Sequence, residues 1–306
     1  MKYSSYHKGD LIESRHGFNI IDCESCGFKH VFPLPESDDL AQIYSEEYYS
    51  DNKPLYIEHY LEDKDWWDCV YEERYSVLER LIPSSKKSLL DIGSGPGLFL
   101  DFGRRRGWEV KGIEPSKLAA DYSRNELGLD IENIFLDKNN AKNFSKFDVV
   151  SMFEVLEHLN NPIEIINIAK SMLKPNGVLV VVVPNDFNPF QTIAREHLDI
   201  ESWWVSPPHH LNYFDKHSLE NVMNNNGLSV IEEEVSFPLE MFLLMGINYI
   251  GDDIIGRNIH EYRKNFDLAF QGAENKNIKK NFYQSLNKLG LGREICLYLR
   301  KNDEKL

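Results

Sequence analysis

Short apolar runs alternate with amphipathic segments through the middle of the chain, from residue 88 to residue 184. The runs SLLDIG, EVKGIEPS, IENIFL, FDVVSMFEV and VLVVVVP predict strands, and apolar positions at helical spacing predict helices between them. Alternation of this kind predicts a parallel sheet with helices on both faces. The VVVV run lacks polar alternation, which is typical of a strand buried on both sides.

The flanking regions complete this α/β prediction. Residues 55–82 have apolar positions at helical spacing, and Pro83 ends that helix. We interpret 229–237 and 293–301 as an antiparallel strand pair that closes the sheet, with a largely helical insertion between them. The predicted parts are an N-terminal segment, a core, a helical insertion and a closing strand, at 1–54, 55–237, 238–290 and 291–306.

Charge and composition narrow the range of partners. A formal net charge of -15 argues against nucleic acid as the main partner, because phosphate binding depends on Lys and Arg clusters. No apolar run approaches ~20 residues, so we predict no membrane span. The N-terminus lacks the apolar core of a signal peptide, and four cysteines are too few for a disulfide framework. We therefore expect a cytoplasmic protein whose main partner is not a nucleic acid.

A glycine-rich loop, DIGSGPG, follows the first predicted strand of the core. Its glycines Gly93, Gly95 and Gly97 permit positive φ and let a ligand approach the main chain closely. A dinucleotide fingerprint has its third glycine one residue later, where this chain has Leu98. Asp91, two residues before the first glycine, adds a carboxylate that can bind an ammonium group directly or through water.

This loop resembles motif I of class I S-adenosylmethionine (SAM) dependent methyltransferases. The resemblance implies a Rossmann-like seven-stranded mixed sheet, its last strand antiparallel, with SAM as cofactor and S-adenosylhomocysteine as product. Glu114, at the end of the next strand, can accept both ribose hydroxyls, whether the ligand is NAD or SAM. The cofactor residues implied are Asp91, Gly93, Ser94, Gly95, Gly97, Glu114, Pro115, Asp137 (for the adenine amino group), Phe153 and Glu154.

Two later stretches strengthen the resemblance. FEVLEHLNNP is similar to the V-L-E-H-x-x-x-P sequence after the fourth strand of small-molecule methyltransferases, and PPHHLNYFDKHSL is similar to a stretch after their fifth strand. GLGREICLYLRK resembles the closing strand of relatives in sugar and surface-glycan pathways. These matches cover roughly residues 85–235 and the last strand, and they imply a sugar, nucleotide-sugar or surface-glycan acceptor.

Three histidines near these motifs are candidates for acceptor chemistry. A hydroxyl nucleophile loses its proton as it attacks, and an imidazole with a pKa near ~6.5 suits that task. His158, His209 and His210 are therefore candidate catalytic residues. If the segment is helical, Glu154, Glu157 and His158 share one face, and they resemble the magnesium site of some O-methyltransferases. The alternative is that His158 caps or braces its helix under the site.

The N-terminal segment contains half of a zinc motif. Cys23-x-x-Cys26 followed by glycine looks like a zinc knuckle, and some sugar C-methyltransferases carry an N-terminal module with two such pairs. Here the first pair is absent. His7, His16 and His30 are nearby, but no spacing selects two of them. The alternative is that the cysteines are ordinary small apolar residues.

The sequence therefore predicts a SAM-dependent methyltransferase that acts on a hydroxyl of a small molecule. Alternatives are C- or N-methylation of a similar substrate, a non-catalytic SAM-binding protein, and an NAD-dependent oxidoreductase. Tyr44, Tyr48 and Tyr49 are candidates for a lid over the cofactor, or for core packing. The apolar insertion at 238–290 covers a pocket, forms a homodimer surface or adds a core layer.

Overall fold

A computed structural model describes residues 7–35, 56–83, 85–272 and 274–302 of the chain. Its strands are β1 (Gly9–Arg15), β2 (Phe18–Cys23), β3 (Phe28–Phe32), β4 (Ser88–Ile92), β5 (Glu109–Ile113), β6 (Ile131–Glu132), β7 (Phe147–Phe153), β8 (Leu173–Pro184), β9 (Asn212–Tyr213), β10 (Leu228–Val235) and β11 (Glu294–Lys301). Its α-helices are α1 (Tyr56–Glu62), α2 (Lys64–Leu81), α3 (Leu98–Arg105), α4 (Lys117–Asn125), α5 (Pro162–Ser171), α6 (Pro189–Leu198), α7 (Lys216–Asn225), α8 (Glu240–Leu244), α9 (Asp253–Ala269) and α10 (Lys276–Lys288). None of the helices in these ranges is both long enough and apolar enough to cross a membrane.

Seven strands form the central sheet in the order β10-β11-β8-β7-β4-β5-β6. Every pair of neighbouring strands among β4 to β8 is parallel. In contrast, β11 is antiparallel to both β8 and β10. Residues alternate between two apolar cores along β4, with Leu90 packed on one face of the sheet and Leu89 on the other. The predicted Rossmann-like mixed sheet is confirmed, and burial on both faces explains the apolar runs.

The third predicted strand of the core is much shorter than IENIFL suggests. Only Ile131 and Glu132 pair with β5. The next residue, Asn133, turns the chain because its side-chain amide donates to the carbonyls of Glu114 (2.8 Å) and Pro115 (2.9 Å). The apolar residues 134–136 therefore leave the sheet and run along its carboxyl edge, where ligands bind in folds of this type.

The single helix predicted over 55–82 is interrupted at Asp63. The Asp63 carboxylate is buried, and it accepts hydrogen bonds from Arg257, His260 and Lys264 of α9. These contacts keep the pKa of Asp63 low, at about 2, although burial alone would raise it. The insertion helices are thus tied to α1 and α2 by a buried ionic cluster, a contact that periodicity along one segment does not reveal.

The N-terminal segment forms a second sheet, which we did not predict from the sequence. Its order is β1-β2-β3-β9, so the fourth strand comes from the loop that follows β8 and α6. Lys29 and His30 of β3 pair with Tyr213 and Asn212 of β9. The lid candidates Tyr44, Tyr48 and Tyr49 lie outside the described residues. The four-part division of the chain stays a prediction.

Candidate active site

A cavity of about 250 Å³ lies at the carboxyl ends of β4, β5 and β7. Its walls come from the loop at Asp91–Gly97 (the glycine loop), from the ends of β5 and β7, from residues 134–136, and from one face of α1 and α2. This is the edge of an open α/β sheet where ligands bind. The sheet thereby brings together residues that the sequence separates by more than a hundred positions.

The glycine loop needs its glycines for two physical reasons. Gly93, Gly95 and Gly97 have φ values of +74°, +54° and +77°, a region that side-chain-bearing residues adopt only with strain. A Cβ on Gly93 would also lie 2.6 Å from the Val155 side chain, and one on Gly97 would lie 2.6 Å from Leu129. The loop therefore presents bare main chain to the cavity.

Glu114 is held rigidly at the end of β5. Its carboxylate accepts hydrogen bonds from the backbone N–H groups of Gly95 and Ser116, both at 2.8 Å. Burial raises the pKa of Glu114 to about 7, although those two hydrogen bonds act in the opposite direction. The carboxylate faces the cavity with lone pairs left to accept hydroxyl groups, as the ribose prediction requires.

Asp91 lies beneath the same cavity. Its carboxylate is buried and accepts a 2.6 Å hydrogen bond from the Ser151 hydroxyl. Burial raises the pKa of Asp91 to about 7; the Ser151 hydrogen bond lowers it, and the nearby Glu114 raises it. A cationic ligand in the cavity would favour the ionised form of this group.

The residues present fit a ligand that combines a nucleoside with an amino acid. Glu114 suits a ribose, Asp91 suits an ammonium group, and residues 134–136 supply an apolar wall for a base. The Ser94 hydroxyl is buried in the cavity and has no hydrogen-bond partner among the described residues. An orphaned polar group of this kind is satisfied when a polar ligand binds.

The α1–α2 wall contains site residues that the sequence reasoning missed. Tyr60, Trp67, Tyr71 and Arg74 all line the cavity. The Arg74 guanidinium lies 4.9 Å from the centre of the Phe153 ring, which places a cation beside the end of β7. The helical spacing of these four residues was a usable signal, but nothing in it showed which surface the face covers.

Asp137 does not line the cavity. Its carboxylate accepts hydrogen bonds from the backbone N–H groups of Asn139 and Asn140, both at 2.8 Å, within its own turn. These hydrogen bonds also lower the pKa of Asp137. Residues 134–136 occupy the cavity wall instead. Pro115, Phe153 and Glu154 do line the cavity, as expected for cofactor residues.

The V-L-E-H segment is not an α-helix, so Glu154, Glu157 and His158 do not share one face. Glu154 has a φ of +54°, and only a short 3-10 turn, Leu156–His158, follows it. The Glu154 side chain is exposed, whereas Glu157 is buried. At this turn, the described groups that come close enough to share a cation are those of Glu157, His158 and His210, and Glu154 is not among them.

His158 is oriented by a backbone carbonyl. Its Nδ1 donates to the His209 carbonyl at 2.7 Å, because a carbonyl can only accept. In the neutral ring, Nε2 is therefore the basic nitrogen. That atom lies 3.8 Å from the Glu157 carboxylate, and the His158 ring lines the cavity.

The other two histidines take different positions. The His210 ring packs edge-on against His158, with ring centres 5.0 Å apart. His209 contributes the carbonyl that orients His158, and neither His209 nor His210 lines the cavity. Of the three candidate catalytic histidines, His158 alone is therefore part of the cavity wall. The predicted zinc ligands lie outside this site, with Cys23 at the end of β2 and Cys26 in the turn that follows.

The 3-10 turn itself is held by β9. The Asn212 side-chain amide donates to the carbonyls of Leu156 (2.8 Å) and Leu159 (2.7 Å), and the Leu211 N–H donates to the carbonyl of Glu157 (2.7 Å). Asn212 is 2% exposed. The position of His158 thus depends on residues more than fifty positions further along the chain.

Comparison with known proteins identifies the family. A family model described as "Methyltransferase domain" matches residues 68–233, more than half of the chain. The chain belongs to this family. The predicted membership in the class I SAM-dependent methyltransferases, with SAM as cofactor, is confirmed. The match includes the glycine loop, Glu114 and the V-L-E-H segment, so the alternative of a dinucleotide-dependent oxidoreductase is wrong.

Curated relatives of this methyltransferase-domain protein include ubiquinone biosynthesis O-methyltransferases from several organisms. That of Histophilus somni is 31% identical over 137 residues, which is 38% of this chain and 57% of the relative. That of Bartonella tribocorum is 30% identical over 162 residues, 50% of this chain and 64% of the relative. The chain thus spans less than two thirds of the length of either relative.

A solved structure supports the fold. One similar structure is the plantazolicin methyltransferase BamL in complex with a triazolic desmethylPZN analog and SAH. The structural alignment covers 86% of this chain and 96% of the BamL chain. The TM-score is 0.51 at 15% sequence identity. At this identity the likeness concerns the fold alone.

Proposed function

We propose that this methyltransferase-domain protein transfers the methyl group of SAM to a hydroxyl oxygen of a small molecule. The observation that supports this proposal most directly is the orientation of His158 in the cavity wall. Its ring is oriented through Nδ1, which leaves Nε2 as the basic nitrogen, and His158 lines the same cavity as Glu114 and Asp91. A base beside the cofactor residues is what a hydroxyl acceptor needs.

The chain's own residues divide the work of holding the cofactor. Glu114 would accept the ribose hydroxyls, Asp91 would hold the ammonium group, and Arg74 would pair with the carboxylate. The Ser94 hydroxyl would gain a hydrogen-bond partner. SAM supplies, when bound, an electrophilic methyl group on a sulfonium sulfur.

His158 would remove the proton. When the acceptor hydroxyl is methylated, its proton would move to Nε2 of His158. The Glu157 carboxylate, 3.8 Å from Nε2, would stabilise the imidazolium that forms. Alignment of the oxygen with the methyl group needs little else from the protein.

For the acceptor we propose a sugar, nucleotide-sugar or surface-glycan precursor. Tyr60 and Trp67 stack with ring centres 5.1 Å apart and present an aromatic wall to the cavity, a surface suited to the apolar face of a ring. A ubiquinone precursor is the second candidate, because the curated relatives are named for ubiquinone biosynthesis.

The test is methyl transfer by the purified full chain from isotope-labelled SAM to both acceptor classes, with the product bond identified by NMR. His158→Gln should lower kcat by about 100-fold or more while SAM affinity is unchanged. His217→Gln, an exposed histidine on α7, is the matched control. Unchanged turnover in His158→Gln would refute the general-base role. A labelled methyl group bound to carbon or nitrogen in the product would show C- or N-methylation and contradict O-methylation.

Two remaining predictions belong to this proposal. We place the protein in the cytoplasm, since none of its four cysteines forms a disulfide, as expected in a reducing compartment. The homodimer also stays a prediction. Light scattering on the purified chain, with and without SAM, measures the oligomeric state.

A further inference from the structure

Four potential metal ligands meet at one end of the N-terminal sheet. His7 precedes β1, Cys23 ends β2, Cys26 lies in the following turn, and His30 is in the middle of β3. One nitrogen or sulfur atom of each lies within 4.8 Å of the others. The sequence showed only the two cysteines, and the fold selects His7 and His30 from the nearby histidines.

The distances from His7 Nδ1 to the other three ligand atoms are close to those of a tetrahedral zinc site. With Zn–S bonds of about 2.3 Å and Zn–N bonds of about 2.0 Å, tetrahedral ligand atoms lie roughly 3.3–3.8 Å apart. His7 Nδ1 lies 3.1 Å from His30 Nε2, 3.4 Å from Cys26 Sγ and 3.7 Å from Cys23 Sγ. The remaining distances among the four ligand atoms are no longer than 4.8 Å.

Hydrogen bonding alone does not account for this cluster. His7 Nδ1 has three close neighbours, yet a ring nitrogen carries either one proton or one lone pair. It can therefore form one good hydrogen bond, which leaves two of the contacts without a role. A single cation shared by all four atoms satisfies each of them at once.

The surroundings orient the ligands as in known metal sites. His30 Nδ1 donates to the Val31 carbonyl at 2.8 Å, so its Nε2 lone pair points to the cluster. Between the cysteines, the Gly27 N–H donates to the Cys23 carbonyl at 2.8 Å, and Gly27 has a φ of +75°. This tight turn brings both sulfur atoms to the same side of the chain.

We propose that His7, Cys23, Cys26 and His30 bind a structural zinc ion. Two thiolates and two neutral imidazoles balance the charge of Zn²⁺, which suits a cluster in which Cys23 and His30 are each 1% exposed. Four protein ligands close the coordination sphere, so the ion has no open position for catalysis. Its role is to fix β1, β2 and β3 to one another.

The site also has a consequence for the cavity. His30 pairs directly with Asn212 in the β3–β9 ladder, and Asn212 holds the turn that carries His158. Loss of the ion would loosen β3 and, through β9, the turn that carries His158. The glycine loop and Glu114 are held by β4 and β5, so these cofactor residues would keep their positions.

The experiment measures metal in the purified full chain by inductively coupled plasma mass spectrometry, before and after zinc titration and desalting. We expect about one zinc ion per chain. Co²⁺ in place of zinc should give the visible absorption of a tetrahedral site and a thiolate charge-transfer band. A chain that retains no zinc and gives no such bands, or that has a Cys23–Cys26 disulfide when purified under reducing conditions, overturns the proposal.

Variants assign the ligands. His7→Ala and Cys26→Ser should each weaken zinc binding by at least about 100-fold, because loss of a ligand costs more than loss of an orienting partner. His16→Ala and Cys69→Ser are matched controls outside the cluster and should retain the ion. SAM binding serves as the measure of folding in each variant. Equal zinc content in the ligand variants and the controls refutes the assignment.

Discussion

The two sides of the cavity are built in different ways. The cofactor side consists of a short continuous stretch, the glycine loop, together with Glu114 at the end of the adjacent strand. On the acceptor side, His158 is oriented by His209, its turn is held by Asn212, and Asn212 pairs with a strand near the N-terminus. The glycine loop and Glu114 are thus encoded locally, whereas the position of His158 depends on contacts distant in sequence.

This difference predicts that damage to one side should spare the other. Changes near the glycine loop should alter SAM affinity, and changes along β9 should alter turnover.

Glu114→Ala should strongly weaken SAM binding. The change removes the ribose acceptor and leaves the N–H groups of Gly95 and Ser116 without their carboxylate partner. We expect SAM affinity to fall by about 100-fold, as for the loss of charged hydrogen bonds. Calorimetric titration measures it. Glu109→Ala, an exposed acid at the start of the same strand, is the control, and an equal effect there would contradict the ribose role.

Arg74→Gln should weaken SAM binding by about 30-fold, because the guanidinium would lose its carboxylate partner. Methylthioadenosine has the nucleoside but lacks the amino acid, so its affinity should stay the same in this variant. Glu114→Ala should weaken both ligands. Arg80→Gln, an exposed arginine on the same helix, should affect neither. A parallel loss of both ligands in Arg74→Gln would mean that Arg74 only shapes the cavity.

Asn212→Ala tests the acceptor side. The carbonyls of Leu156 and Leu159 would lose a buried donor, and the turn that carries His158 would loosen. We expect kcat to fall by about 10-fold, since small misplacements of a catalytic group are costly, while SAM affinity stays within about twofold. The control is Asn221→Ala, an exposed asparagine on α7. A loss of SAM affinity equal to the loss of kcat would show that the two sides are not independent.

SAM affinity should rise by about 5- to 10-fold as the pH increases from 6 to 8. Burial raises the pKa of both Asp91 and Glu114 to about 7, so a large part of each is protonated at pH 6. A ligand that carries positive charge favours the ionised acids, and its binding therefore releases protons at low pH. Asp91→Asn should flatten this profile. An unchanged slope in that variant would exclude Asp91 as the titrating group.

The same two acids affect stability in the opposite direction. Their pKa values are raised in the folded chain, so the folded state holds protons that the unfolded state has already lost above about pH 4.5. This contribution to the free energy of unfolding is complete at low pH and is lost as the pH rises through about 7. Urea titrations of the ligand-free chain from pH 5 to 8 should show the loss, and Asp91→Asn should reduce it.

The sequence was most informative where structure is local. The period of apolar residues depends only on which face of a strand or helix is buried, so it predicted the central sheet before any contact was known. The glycine loop was readable for the same reason, because positive φ and close approach are properties of single positions. Asp137 shows the limit, since a loop acid can equally well hydrogen-bond its own turn.

What the sequence did not reveal are pairings between distant segments. Asp63 interrupts a helix because α9 brings cations to it, and nothing in the local pattern of residues 55–82 contains that contact. Likewise, His7 and His30 are ordinary polar residues until two strands bring them beside Cys23 and Cys26. Arg74 faces the cavity only because of the way its helix docks on the sheet.

The strand that β9 contributes to the N-terminal sheet has a consequence for biosynthesis. The ribosome completes β3 about 180 residues before β9, an interval on the order of 10–40 s at ordinary rates of translation. During that time Ile20 and Val31 lack the partners Leu211 and Tyr213 that bury them in the finished protein. All four proposed zinc ligands, however, are present once residue 30 has emerged. The nascent chain can therefore bind zinc and pair β1, β2 and β3 before β9 has been synthesised.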